Sequence, residues 1–146
     1  MNDWTMTRVQ DRLELAAGVF RQMPDVKPQG YFNAWPDYLH SFADQVGQEP
    51  KMRQPRPSPR MISQADEAML WLHWLEAEDA KLLWLRANGK PWKPICWQFG
   101  LSRTAATRRW HYGLAVIVWR LNGRKPPLRR SMDFVIKRAR TGPRVR

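Results

Sequence analysis

Five side chains in the stretch RTAATRRWH share one side of a helix and carry hydrogen-bond donors: Arg103, Thr104, Thr107, Arg108 and His111. On a helix, positions three and four residues apart lie on one side. Their chemistry is recognition. An arginine fork matches guanine O6 and N7, and a threonine meets a base edge or a thymine methyl. These residues fall in the first turns of a helix, the part that enters a major groove. Arg109 sits at the flank, where a guanidinium suits a phosphate.

Such a helix has to be presented by a corner, and WKPICWQFGLS has the parts of one. Pro94 opens a short helix that reaches Phe99. Ile95 and Phe99 lie one turn apart for burial, and Cys96 is small enough for a close helix crossing. Gly100 tolerates the left-handed conformation of a corner. Leu101 is an apolar plug, and Ser102 caps the next helix. Beyond the cap, Ala106, Trp110, Gly113 or Leu114, Ile117 and Leu121 make a buried stripe. The spacing therefore predicts a helix-turn-helix with Arg103, Thr104, Thr107, Arg108 and His111 turned outward to read bases.

Catalysis finds little material. His40, His73 and His111 are scattered, and Cys96 is the single cysteine, so no metal cluster and no disulfide is expected. Acids gather at helix starts, and Gly89-Lys90 lacks the rest of a phosphate-binding loop. The sequence is read as non-enzymatic, without cofactor.

Composition agrees with a polyanionic partner. The chain has 146 residues, a formal charge of +12 and 43% apolar residues, nine of them tryptophan. The charge is uneven. Residues 91–122 hold five basic and no acidic residues, and residues 123–146 hold nine basic and one acidic. Net charge after Pro91 accounts for essentially the whole surplus, which points to nucleic acid before an anionic membrane. No secretory signal or membrane-length apolar run stands in the sequence, so a cytoplasmic, nucleoid-associated protein is expected, without a membrane partner.

Helical spacing recurs and period-2 alternation does not. Val9, Leu13, Ala16, Phe20 and Met23 form one stripe, with Thr5 or Thr7 as cap and Pro24 as stop. A second helix is expected from Pro36 to Gly47, completing an N-terminal helical module over residues 1–47. Residues 48–62, rich in proline, read as a linker. Ser63 to Asp66 resembles a capping box opening a third helix, and Met69 to Leu75 make it apolar nearly all round, covered on several sides. A fourth helix spans about Glu78 to Asn88, with Leu82, Leu83 and Leu85 inward and Gly89 as stop. Residues 63–122 thus form the helix-turn-helix domain.

Residues 123–146 read as a basic arm. Pro126 and Pro127 break the long helix, and Ser131 caps a short one carrying Met132, Val135 and Ile136. Phosphates are expected at Lys93, Ser102, Arg109, Arg124, Lys125, Arg129, Arg130, Lys137, Arg138 and Arg140.

The stretch LEAEDAKLLWLRANGKPWKPICWQFGLSRTAATRRWHYGLAVIVWRL, a third of the chain, resembles region 4 of bacterial sigma factors. Ser102, Ala106, Arg109, Trp110, Gly113 and Leu114 stand where that family shows Ser or Thr, Val, Arg, Leu, Ala and Leu. Ala106 is smaller and Trp110 larger than the family pattern, and no counterpart of the promoter-melting region 2 is visible. With GYFNAWPDY and RQPRPSP, the whole chain also resembles an uncharacterised family of alphaproteobacterial genomes and their prophages. These resemblances imply an all-α DNA-binding regulator of phage or mobile-element genes. Its partners would be double-stranded DNA and RNA polymerase. The alternative is a polymerase-docking or phage-assembly protein, including the small subunit of a packaging terminase. Either reading allows a homo-oligomer.

Overall fold

The computed structural model describes residues 3–23 and 55–141, and all regular structure within them is helical. The helices are α1 (Met6–Gln22), α2 (Pro59–Leu72), α3 (Ala77–Ala87), α4 (Trp92–Phe99), α5 (Arg103–Leu121) and α6 (Met132–Thr141). The helix expected from Pro36 to Gly47, and residues 48–54 of the proline-rich segment, lie outside the described residues.

α1 starts where a hydroxyl can cap it: Thr5 Oγ1 accepts the Arg8 amide at 3.3 Å. It buries Val9, Leu13, Ala16, Ala17 and Val19, chiefly against α2. Ala16 and Ala17 meet a helix that buries Ala65 and Ala68, so small side chains line the contact from both sides. Phe20, expected in the stripe, is 39% exposed and packs edge-on against Trp84 instead.

α2 begins earlier than the capping-box pattern suggests. Ser58 accepts the Met61 amide, Pro59 occupies the first turn, and Ser63 lies inside the helix, donating to the Pro59 carbonyl. The helix also stops sooner. His73, Trp74 and Leu75 form a tight turn rather than a further helical turn. It is not covered all round either: Trp71 and Leu72 are buried, whereas Leu70 is 64% exposed.

α1 is not a separate module. It shares one core with α2, α3 and the second half of α5, through Leu83, Ala87, Leu114, Ile117 and Val118. A backbone clamp adds to this: Asn122 accepts the Trp4 amide at 2.9 Å and donates to the Trp4 carbonyl at 3.1 Å. Trp4 in turn stands edge-on to Trp71.

The C-terminal segment is not simply an arm. Ser131 caps α6 as the sequence predicts, accepting the Phe134 amide. α6 then docks along α5, burying Val135 and Ile136 against Ala115, Tyr112 and Trp119. The Trp119 indole donates to the Val135 carbonyl at 3.2 Å. Residues 142–146 lie outside the described residues.

Candidate nucleic-acid interface

The corner is built from local rules. α4 opens at Trp92, two residues before Pro94, behind Pro91. Gly100 ends it in the left-handed region with φ 64°, where a Cβ would be strained, and the Leu101 amide returns to the Cys96 carbonyl. Ser102 Oγ accepts the Ala105 amide at 3.2 Å and starts α5. Ile95 and Ala106 are fully buried, pinning the two helices from inside.

α5 changes character along its length. Of Arg103 to Arg109, Ala106 alone is buried, while every residue from Gly113 to Val118 is buried. The first turns therefore stand at the surface and the rest is wrapped by α1, α3 and α6. Gly113 lets α3 approach α5 closely. A Cβ there would lie 2.5 Å from Leu83 Cδ1.

The expected base readers fall into different situations. Arg103 and Thr104 are exposed. The Arg103 guanidinium lies 5.8 Å from the Trp92 ring centre, and Arg86 lies 4.5 Å from the same ring. Trp92 stands edge-on to Trp110 at 5.7 Å, so an aromatic pair supports the cations of the corner. Thr107 is half-buried, and its hydroxyl donates to the Arg103 carbonyl at 2.8 Å, leaving its methyl and lone pairs for a partner.

Arg108 already holds an anion. Its Nε and Nη2 donate to the two carboxylate oxygens of Asp133 at 2.9 and 2.6 Å. This bidentate pairing uses the same fork that would meet guanine O6 and N7. Both side chains are largely exposed, so the pair contributes only about 0.2–1 kcal/mol.

Arg109 and His111 require correction. Arg109 is committed to the start of α3, with Nε 3.0 Å from Asp79 Oδ1 and both terminal nitrogens on Glu78. Asp79 is almost fully buried. Burial pushes its carboxyl above the usual range, and the Arg109 charge opposes that shift. Arg109 thus works as a strut between helices, with no free fork for phosphate. His111 lines a cleft with the start of α1 and the end of α6, and Arg103 is not part of that lining. Burial lowers the His111 pKa, helped by the neighbouring Arg140 charge.

Among the other expected phosphate ligands, Ser102 spends its oxygen on the cap. Lys93 is exposed beside Trp97, which is itself 77% exposed. Arg124, Lys125, Arg129, Arg130, Lys137 and Arg140 are exposed, and Arg138 is half-buried. Arg130 lies over Phe134. The sequence gives no expectation for Trp92, Trp97 or Asp133, and for Asp79 only that of an acid at a helix start. Starting α4 at Pro94 left Trp92 outside it, though Pro91 followed by an apolar residue was a usable start signal. Among the described residues no cluster of His, Cys, Asp and Glu could hold a metal ion.

Residues 21–117 match the family model described as Domain of unknown function (DUF6362). The chain belongs to the DUF6362 family. The matched segment includes α2, α3, α4 and α5 as far as Ile117, so the DUF6362 match contains the whole corner and ends before α6. No curated protein and no solved structure matches the chain. No helix among the described residues is long and apolar enough to cross a membrane.

Proposed function

We propose that the chain is a sequence-specific double-stranded DNA-binding protein that regulates transcription of phage or mobile-element genes. The observation that carries this reading is the surface-exposed start of α5, behind the Gly100 corner and the Ser102 cap. There Arg103 and Thr104 stand free, without an acidic residue anywhere from Pro91 to Asn122. α5 enters the major groove by its first two turns. The unpaired amides of its first turn and Lys93 on α4 take phosphates on either side. Arg103 and Thr104 read bases directly, and Arg108 reads a guanine after exchanging Asp133 for it. Arg124, Lys125, Arg129 and Arg130, between α5 and α6, add affinity without sequence preference.

Selection of bound fragments from random DNA by the purified full chain tests this reading. An enriched motif is expected; binding with no enrichment removes the claim of specificity, and no binding at low salt removes DNA altogether.

A second reading rests on exposed apolar side chains. Leu70 (64% exposed), Trp97 (77%) and Leu128 (101%) suit contact with another protein, such as RNA polymerase or a phage assembly. Polymerase capture in the absence of DNA would favour docking, and a ring-sized mass in solution would favour a packaging-motor subunit.

A further inference from the structure

We propose that the cleft between the start of α1, the middle of α5 and the end of α6 binds a small carboxylate with an aromatic or branched apolar body. Its volume is about 450 Å³, within the range of ligand pockets. Met6, Trp110, Leu114 and Ala139 supply apolar wall. The polar rim is one-signed: none of the lining residues is acidic, and Arg140 stands at the edge.

Two further features favour an anionic head. Thr5 satisfies the amides of Arg8 and Val9, which leaves those of Met6 and Thr7 as the unpaired donors of the α1 first turn. No acidic side chain occupies that turn. The positive end of α1 and the Arg140 guanidinium thus meet at one cleft. The wall also contains an unpaired donor and an unpaired acceptor, Trp110 Nε1 and Gln10 Oε1, both buried. One Gln10 amide hydrogen goes to Glu14 at 2.8 Å, and its oxygen, sealed from solvent, meets a ligand only if the side chain turns. His111, its pKa lowered by burial and by the neighbouring Arg140 charge, adds a hydrogen-bonding group to the wall. A single negative charge on an apolar body fits this inventory better than a phosphate, which would waste the Trp110 and Leu114 surface.

The same ligand ties α6 to α1, and α6 carries the Asp133 that occupies Arg108. An effect on DNA affinity rests on the proposed function; the binding itself does not. The test therefore uses the full chain without DNA. Benzoate, phenylacetate and indoleacetate are titrated by calorimetry against the matching alcohols. At least one acid should bind saturably, and its alcohol about tenfold more weakly, the size of one charge-assisted contact. Arg140→Gln should weaken the acid by a similar factor and leave the alcohol unchanged, whereas Arg138→Gln should change neither. Thr7→Trp, which fills the cleft from its rim without touching the core, should abolish both, with thermal melts showing that each variant is folded. The proposal fails if no acid binds, if acids and alcohols bind alike, or if Arg140→Gln binds the acid as well as the parent chain does.

Discussion

The two halves of α5 answer to different demands. Of residues 103–109 only Ala106 is fully buried, and three arginines crowd there. Residues 113–118 are buried on every side and carry no polar side chain at all. One helix therefore joins an arginine-rich surface to a core. The partners of its arginines sharpen the contrast. Arg109, nearest the core, is held by Glu78 and Asp79; Arg108 is held loosely by Asp133; Arg103 has no carboxylate partner among the described residues. Availability for a ligand rises toward the tip of the helix.

Substitutions in the buried half should show the largest effects on stability. Ile117→Ala removes a fully buried side chain from the core shared by α1, α2, α3 and α5, and should cost about 2–5 kcal/mol of unfolding free energy. Chemical denaturation measures it. A loss below about 1 kcal/mol would mean that the wrapping around the second half is looser than described. Gly113→Ala tests the same half from the opposite direction. The added methyl meets Leu83 Cδ1, which is buried and has little room to yield, so about 1–3 kcal/mol should be lost. Stabilisation instead would show that the Leu83 side chain yields and that the helix-propensity gain of alanine prevails.

In the solvated half the effects should move from stability to binding. Arg103→Ala should change stability by under about 0.5 kcal/mol and weaken the selected DNA by about 1–3 kcal/mol, with relaxed preference at one base pair. Fluorescence anisotropy against matched and mutated sites measures both. Uniform weakening on every sequence would move Arg103 from base reading to phosphate.

What the sequence made legible follows the same division. The Gly100 corner, the Ser102 cap and the inward stripe of Ala106, Leu114 and Ile117 depend on neighbours within a few residues, and residue type with spacing was enough. Ser58-Pro59 was equally local, but three further prolines just before it disguised a helix start as linker. Long-range pairings were not legible. Asp79 meets Arg109 across thirty residues and Asp133 meets Arg108 across twenty-five. Nothing in one sequence selects those acids among the thirteen present. The docking of α6 was hidden in another way. Val135 and Ile136 are few among many basic residues, so charge suggested an arm where two apolar side chains and the Trp119 indole make a packed helix.

Asp133→Asn should have a smaller effect still. It removes an exposed ion pair, so stability should fall by no more than about 1 kcal/mol. Arg108 is then free and one negative charge is gone from beside the start of α5. DNA affinity should rise, with the gain shrinking as salt is added. Unchanged affinity at low salt would mean that Arg108 does not approach DNA.

The smallest effect concerns His111, at the junction of the two halves. Its folded-state pKa lies below 6.5, with burial the main cause and Arg140 second. A depressed histidine means that the unfolded chain binds the proton more tightly than the folded one. Its contribution is therefore fully present above pH 6.5, and is lost as pH falls through the lowered value. Melting temperatures of the parent chain and of His111→Gln, taken between about pH 8 and pH 5, isolate this group from the carboxylates. The parent should lose stability relative to the variant on the acid side alone. Because the ring is only partly buried, the difference should be modest. Relative stabilisation of the parent by acid would instead require the imidazolium to find an anion in the cleft. That result would contradict the cationic rim formed by Arg140 and the start of α1.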